Sequence, residues 1–374
     1  SKKASNCKLL LLDGYYTRQN EKNVLHYIHN KRAFTTCGYM NITSEEIAKL
    51  ANVSRSTVSR VINHYPNVPE ETRIRVMDVI EKYGYQPNTF AQVLAGKANR
   101  EIVLCISNCD AAKRRWRGAM SSYFLRMIGE LITQAKEYDY TISTFVVSEI
   151  EELSKVENMY RSRSISGGIF VGFEYEMEAV NRLIEKGFNM VVVDPDVDML
   201  RAENVSIICS QNVDAGYMAT KYLLDKGHTC IAHLCGDDRL SSRDRIIGYK
   251  KAMIEAGLEE KDLIIEPGDF NSQKAYIAAE KILDTTKATA IYASNDAMAI
   301  SAIRAAEARG LRVPEDISIM GCDYSATYAE LGYNLTSIEI SLHDIARAAL
   351  RSVVGIDAKR KLKCPAILIK GTTA

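Results

Sequence analysis

Long apolar runs are missing from this sequence: no stretch of about 18 apolar residues is present, as a membrane-spanning helix would require. The apolar run at residues 9–12 is also shorter than the apolar region of a secretory signal peptide. Common catalytic motifs are missing too, since there is no GxxxxGK(S/T), GxSxG or HExxH and no GxGxxG after a predicted strand. We therefore expect a soluble cytoplasmic protein without membrane contact, cofactor or enzymatic activity.

Paired cysteine spacings and an excess of basic charge are likewise absent. The nine cysteines are scattered, and the nearest pairs, Cys105 with Cys109 and Cys230 with Cys235, do not have zinc-ribbon spacing. Such cysteines are typical of reduced residues inside a cytoplasmic protein. Lysine and arginine number 48 against 47 acidic residues, so any contact with nucleic acid must come from local placement of charge.

Residues 42–63, ITSEEIAKLANVSRSTVSRVIN, predict two helices joined by a tight turn. Thr43 and Glu46 have the spacing of a capping box at the first helix. Asn52 stands at the turn, where Asn tolerates a left-handed backbone, and Ser54 can cap the second helix. Apolar residues follow helical spacing, with Ile47, Ala48, Leu50 and Ala51 in the first helix and Val58, Val61 and Ile62 in the second.

The second helix has a polar face that suits the major groove of DNA. Short hydroxyl side chains reach phosphates, and an arginine can bind the O6 and N7 atoms of guanine with two hydrogen bonds. The alternative is an ordinary amphipathic helical hairpin with a solvated face. The candidate DNA-binding residues of this face are Ser54, Arg55, Ser56, Thr57, Ser59, Arg60 and Asn63.

This segment resembles the headpiece of the LacI/GalR family of bacterial transcription regulators, whose pattern is xxIAxxAxVSxxTVSRVxN. The matching residues are Ile47, Ala48, Ala51, Val53, Ser54, Thr57, Val58, Ser59, Arg60, Val61 and Asn63. The sequence continues with YGYQPN at 83–88 and AQVLAGK at 91–97, which resemble the end of that family's third helix and its hinge. The resemblance extends to near the C-terminus.

A third helix is predicted over residues 69–83, followed by a connecting segment that contains Pro87 and Gly96. The inward-facing residues of that helix are expected to be Ile74, Met77, Val79 and Ile80. In the family, the hinge folds on the operator and a leucine inserts into the minor groove, bending the DNA. The resemblance therefore implies DNA contacts by Tyr85, Asn88, Ala91 and Leu94. The alternative is a flexible linker with Leu94 docked on the next domain.

Residues 1–39 match nothing in the family's pattern, and Met40 stands where chains of this family usually begin. We expect them to be an N-terminal extension of unknown role, arising from an upstream start or forming an accessory arm. Its candidate zinc ligands are too irregularly spaced to predict a metal site: Cys7, His26, His29 and Cys37.

From residue 102 onward, short β-rich runs alternate with helical runs such as 215–226 and 275–283. The predicted strands are 102–107, 141–147, 168–171, 190–193, 230–234, 263–266, 290–293 and 317–321. Strands separated by helices predict parallel, doubly wound sheets, and so long a series predicts two lobes around a cleft. The predicted domains are an extension (1–39), a helix-turn-helix headpiece (40–86), a hinge (87–99) and a two-lobed, periplasmic-binding-protein-like effector and dimerisation domain (100–374).

Ligands of doubly wound folds bind outside the carboxyl ends of the strands. Arg245 and Asp296 match effector-holding positions of the family, and Asp194 and Phe270 are weaker matches. Carboxylates and an arginine suit hydroxyl groups, and an aromatic ring covers the apolar side of a sugar, so a carbohydrate or sugar phosphate is expected. The structural alternatives are an ion pair for Arg245 and helix capping for Asp296.

The main departure from the family follows the first predicted strand. Relatives often have an Asn-Pro-Phe-like turn there, whereas this chain has Asn108, Cys109 and Asp110 and then the basic run KRRWR at 113–117. That run either contacts an anionic ligand or partner or forms a solvated loop.

Taken together, these features predict a homodimeric, sequence-specific regulator, expected to be a repressor, that binds a near-palindromic operator and responds to a small-molecule effector. A dimer is favoured over a tetramer because no heptad-rich tail follows Lys363. The alternatives are a solute-binding protein without DNA-reading activity and a sugar-processing enzyme.

Overall fold

The computed structural model describes residues 42–62, 64–85, 99–108, 122–201, 205–358 and 361–374. The chain divides into two compact units, Ser1–Gln92 and Val93–Ala374. In the described ranges, no helix is both long enough and apolar enough to cross a membrane. Several sequence predictions lie outside the described residues, namely those for the extension 1–39, Asn63, Asn88, Ala91, Leu94 and the basic run 113–117.

The first unit contains helices α1 (Ser44–Leu50), α2 (Arg55–Ile62) and α3 (Glu70–Tyr83). The predicted capping box of α1 is present, because Thr43 and Glu46 each accept a backbone hydrogen bond from the other. Asn52 has the expected left-handed backbone, with φ of 52°. The small core that joins the three helices consists of Ile47, Ala48, Ala51, Val58, Val61, Val68 and Val76.

The prediction that Ile74 and Met77 of α3 face inward is wrong, and Leu50, which follows the apolar spacing of α1, is exposed as well. Leu50, Ile74 and Met77 are 49%, 54% and 43% exposed, respectively. In α3 the buried residue is Val76, and Val79 and Ile80 lie beside it one turn later. Ile74 and Met77 lie on other faces because successive helical residues are about 100° apart, so the inward row runs through 76, 79 and 80.

The second unit has two lobes, each with a six-stranded sheet. Lobe 1 has the strand order β11-β5-β4-β3-β1-β2. Its elements are β1 (Glu101–Ser107), α4 (Ser122–Ala135), β2 (Thr141–Val147), α5 (Leu153–Arg161), β3 (Gly167–Val171), α6 (Met177–Glu185), β4 (Met190–Val193), β5 (Ser206–Ser210), α12 (Leu342–Val353) and β11 (Lys361–Cys364).

Lobe 2 has the strand order β12-β10-β9-β8-β6-β7. Its elements are α7 (Asn212–Asp225), β6 (Ile231–Cys235), α8 (Leu240–Glu255), β7 (Ile264–Pro267), α9 (Ser272–Thr285), β8 (Ala290–Ala293), α10 (Asp296–Glu307), β9 (Ser318–Cys322), α11 (Ala326–Glu330), β10 (Thr336–Ile340) and β12 (Ala366–Ile369). The chain crosses between the lobes after β5, β10 and β11.

The doubly wound prediction is confirmed, with one difference in strand direction. Every pair in lobe 1 is parallel, but β12 runs antiparallel to β10 at the edge of the other sheet. Residues of β1 alternate between the two faces of its sheet, since Ile102 and Leu104 join one core and Val103 joins the other. Helices therefore cover both faces, and the carboxyl ends of the strands remain for a ligand site.

Candidate functional site

The polar face of α2 begins at a hydroxyl cluster. The Ser54 hydroxyl accepts a hydrogen bond from the Thr57 backbone N–H at 3.1 Å, so the predicted cap is present. The same oxygen lies 2.7 Å from the Ser56 hydroxyl and 2.8 Å from the Thr57 hydroxyl. Ser54, Ser56 and Ser59 are exposed, whereas Thr57 is half-buried. These groups form a compact hydrogen-bonding surface at the start of the helix.

The two arginines of α2 differ in how they are held. Arg55 donates from Nε to the Ser44 hydroxyl at 3.1 Å and lies 3.5 Å from the Glu45 carboxylate, so it is tied to α1. Arg60 is exposed, and its guanidinium makes no hydrogen bond or ion pair with another described residue. As far as the described residues are concerned, the donor groups of Arg60 are therefore available to a base edge or a phosphate.

Tyr85 differs from the other predicted DNA-binding residues that the structure describes. It follows the left-handed Gly84 that ends α3, and its backbone N–H donates to the Ile80 carbonyl at 3.0 Å. Its side chain is partly buried against the headpiece core. Tyr85 therefore anchors the point at which the chain leaves the headpiece.

In the second unit, a cavity of about 140 Å³ lies where strands of both lobes end. That volume accommodates a small organic molecule rather than a single water molecule. Asp194, Arg245 and Phe270, three of the four predicted effector residues, line it. Further lining residues that the sequence reasoning missed include Tyr123, Glu174, Asp237, Arg239, Asn295 and Asp323.

Arg245 lies almost fully buried on α8. Its Nε donates to the Asn212 side-chain oxygen at 3.1 Å, and its guanidinium also donates to the Ser294 carbonyl and pairs with Asp323 at 3.3 Å. Arg245 therefore forms an ion pair, as the structural alternative predicted, and it also lines the cavity. Three partners fix the position of the Arg245 guanidinium at the cavity wall.

Two glycines allow α8 to reach this position. A Cβ atom at Gly248 would lie 2.1 Å from the Val213 carbonyl oxygen, and one at Gly216 would lie 2.2 Å from the Arg245 carbonyl oxygen. Helices α7 and α8 therefore cross with their backbones in contact. This close crossing places Asn212, the first residue of α7, beside the Arg245 guanidinium.

Asp194 follows β4 with a left-handed backbone, φ 49°. Its carboxylate accepts hydrogen bonds from the Ser210 backbone N–H at 2.5 Å and the Ser210 hydroxyl at 2.8 Å, and it faces the Tyr123 hydroxyl at 3.4 Å. Burial raises the pKa of Asp194, while the hydrogen bonds from Ser210 act in the opposite direction. Its carboxylate is fixed as an acceptor on the lobe 1 side of the cavity.

Phe270 also has a left-handed backbone, φ 51°, in the turn after β7. Its ring lies against Gly236, where a Cβ atom would come within 2.1 Å of a ring carbon. The Arg239 guanidinium lies 4.3 Å from the ring centroid, and its Nε donates to Asp237 at 2.8 Å. Backbone strain at such ligand-facing turns persists because the surrounding structure fixes it.

Asp296, the fourth predicted effector residue, does not line the cavity. Its buried carboxylate accepts hydrogen bonds from the Ser325 backbone N–H at 2.6 Å and the Ser337 hydroxyl at 2.7 Å. Burial raises the pKa of Asp296 to about 7. The preceding residue, Asn295, both lines the cavity and caps α10 by accepting from the Met298 backbone N–H at 2.9 Å. Asn295 rather than Asp296 therefore caps α10, and the effector contact of Asp296 stays a prediction.

The comparisons with known proteins match both units. The family model "Bacterial regulatory proteins, lacI family" matches residues 43–88, and the "Periplasmic binding protein-like domain" matches residues 220–370. Catabolite control protein A of Priestia megaterium is 31% identical over 315 residues, covering 83% of this chain and 91% of that protein. The chain belongs to the LacI family. It is a DNA-binding transcription regulator.

Other LacI-family proteins agree with this assignment. The transcriptional repressor PurR of Pasteurella multocida is 32% identical over 289 residues, covering 75% of this chain and 81% of the relative. A Lac repressor dimer bound to operator and the anti-inducer ONPF shares the fold, with a TM-score of 0.75, 24% identity and coverage of 89% and 98%. A CelR–cellobiose complex has a TM-score of 0.62, 25% identity and coverage of 89% and 100%.

The family and fold class predicted from the sequence are therefore confirmed. The LacI-family relatives are transcription regulators and not enzymes, as the missing catalytic motifs predict. The solute-binding alternative is not favoured, because the lacI-family match covers the helix-turn-helix segment.

Proposed function

We propose that this LacI-family regulator is a repressor that binds a near-palindromic operator as a homodimer and responds to a carbohydrate bound in the interlobe cavity. The single observation that supports it most is the exposed polar face of α2, which carries two arginines and no acidic residue. The chain as a whole is nearly neutral, so these two arginines provide the local positive charge that DNA binding requires. Two copies of α2 in a symmetric dimer would read two related half-sites.

Arg60 is the residue of α2 best suited to read a base. Replacing Arg60 with Ala should cost about 1–3 kcal/mol of operator binding and relax the preference at one base-pair position. Arg75→Ala is the matched control, because it removes an exposed arginine of α3 instead. Affinities for a set of single-base operator variants measure the effect. An equal loss on every sequence would make Arg60 a phosphate contact.

The hinge adds a second proposed contact with DNA. The sequence resemblance makes Leu94 the minor-groove wedge, with Asn88 and Ala91 beside it. Together with Asn63, these residues lie outside the described part of the chain. Their roles remain predictions.

A neutral carbohydrate fits the described part of the cavity better than a sugar phosphate does. Both arginines of the described lining are engaged by acids of the same lining, Arg239 by Asp237 and Arg245 by Asp323. Asp194 and Glu174 add carboxyl groups whose oxygens accept hydrogen bonds from hydroxyl groups, and neither adds a positive charge that would hold a phosphate. The CelR complex with cellobiose supports the same ligand class.

Thermal unfolding with a carbohydrate panel tests this ligand class. A neutral carbohydrate that binds should raise Tm in a concentration-dependent way, because only the folded protein binds it. The same sugar carrying a phosphate is the matched probe and should stabilise less. Stabilisation by the phosphorylated form alone would contradict the proposal and would point to the basic run 113–117.

A homodimer is consistent with exposed apolar side chains on the effector domain. Leu125 and Ile132 are 50% and 42% exposed and stand seven residues apart, on one face of α4. The Lac repressor that shares this fold was solved as a dimer. Burying these side chains against a second copy would remove apolar surface from water.

A further inference from the structure

A loop of lobe 1 that lines the cavity also contacts lobe 2. The loop follows β3, and two of its consecutive residues make hydrogen bonds to lobe 2, one to the first residue of α8 and one to the segment just before it. The Glu174 carboxylate accepts from the Leu240 backbone N–H at 2.7 Å, and the Tyr175 hydroxyl donates to the Asp238 carbonyl at 3.1 Å. Both side chains line the cavity.

The contact with Leu240 satisfies the first backbone donor of a long helix. Helix α8 has 16 residues, and its own N-cap residue, Arg239, makes no side-chain cap hydrogen bond. The Arg239 side chain instead turns toward Asp237 and Phe270. A carboxylate at a helix N-terminus is stabilising because the first N–H groups lack partners within the helix and the helix dipole is positive there.

We infer that Glu174 is an interlobe latch that caps α8 when the lobes are closed. Phe173 fixes the loop to lobe 1, since it is 1% exposed and its ring centroid lies 5.5 Å from that of Phe170. Because the loop stays with lobe 1, separation of the lobes would break the hydrogen bond between Glu174 and Leu240. Because α8 also carries Arg245, the latch acts on the helix that faces the effector.

Titration of the Glu174 carboxyl group makes closure of the lobes dependent on pH. Burial raises the pKa of Glu174 to about 7, against the Leu240 hydrogen bond and Arg239, and the nearby carboxylates of Asp194 and Asp237 raise it further. In an open state the carboxyl group is solvated and its pKa returns toward about 4.3. Closure therefore takes up a proton. The equilibrium constant for closure is largest below both pKa values. It falls as pH rises toward about 7, by at most about tenfold per pH unit.

Hydrogen exchange of the effector-free full chain tests the latch without DNA or ligand. Glu174→Ala should speed exchange of the amides of residues 238–243 by about five- to hundredfold, the loss expected when a backbone donor is left without its acceptor. Glu174→Gln keeps an acceptor oxygen, so it should retain more protection, but the change in protection between pH 6 and 8 should disappear. Glu185→Ala removes an exposed carboxylate of lobe 1 and should leave these amides unchanged.

The location of the change decides the outcome. Faster exchange confined to residues 238–243, with core strands β6 and β8 still protected, supports the latch. Unchanged protection in Glu174→Ala would overturn it, and so would a uniform loss across lobe 2, which indicates unfolding of the lobe. Only the link from lobe closure to effector and operator binding rests on the proposed function. The hydrogen-exchange test of the latch therefore remains interpretable even if no carbohydrate ligand is found.

Discussion

Replacing Arg245 with Ala is expected to lower the free energy of unfolding by about 3–5 kcal/mol, because it breaks a buried ion pair. The substitution leaves the Asp323 carboxylate without its cation, and the side chain of that residue is only 14% exposed. It also removes the hydrogen bonds from Arg245 to Asn212 and to Ser294. Denaturant unfolding should show a lower midpoint with an unchanged slope.

Two variants separate this effect from a general loss of charge. Arg312→Ala removes an exposed arginine paired with Asp316 at 2.8 Å and should shift the midpoint much less. Adding Asp323→Asn to Arg245→Ala should recover part of the stability, because the unpaired buried charge is gone. Equal midpoints for the Arg245 and Arg312 variants would show that the buried pair contributes little. Effector-induced stabilisation should also be lost in Arg245→Ala.

Replacing Gly248 with Ala is expected to destabilise the effector domain, although alanine favours a helix by about 1 kcal/mol. The new Cβ atom would meet the Val213 carbonyl oxygen at 2.1 Å and the Tyr217 backbone nitrogen at 2.5 Å. Backbone atoms cannot rotate away, so α8 must move, and overpacking of this kind typically costs about 1–3 kcal/mol. The displacement should weaken effector binding as well, since Arg245 lies one turn earlier on α8.

Gly129→Ala provides the matched control. Gly129 lies inside α4, and a Cβ atom there would meet none of the described residues within 4 Å. This substitution should therefore leave Tm unchanged or raise it. Thermal unfolding of the two variants gives the comparison, and a stabilised Gly248→Ala protein would contradict the close crossing of α7 and α8.

Sequence patterns predicted the strands that consist mostly of apolar residues. The strands β2, β4 and β8 have the predicted bounds, and β1, β3, β6, β7 and β9 differ by one residue at one or both ends. The strands β5 and β10 were missed because polar residues occupy buried positions in them, including Ser206, Thr336 and Ser337. The strands β11 and β12 were missed as well. Both lie at the edge of a sheet, and exposed lysines alternate with a less exposed residue along β11.

The cavity could be predicted only in part, for a physical reason. Its residues lie in turns after many different strands, and the left-handed backbones at Asp194, Phe270 and Asp323 orient them. Periodicity does not reveal such turns. The choice between Asn295 and Asp296 depends on the residue at which α10 begins, and helix ends are the least certain part of a sequence prediction. Asp323 and Asn295 stand just after strands, which is the signal that could have found them.

Selection from random duplex DNA with the purified full chain tests the central claim most directly, because it asks whether the headpieces read sequence as a symmetric pair. Sequencing of the retained pool should reveal a near-palindrome whose half-sites are related by the dimer axis and spaced by about one helical turn. The Arg60→Ala protein should enrich the same palindrome with one position relaxed. Enrichment of a single asymmetric half-site would contradict the dimer, and no enrichment by the folded protein at moderate salt would contradict unaided operator recognition.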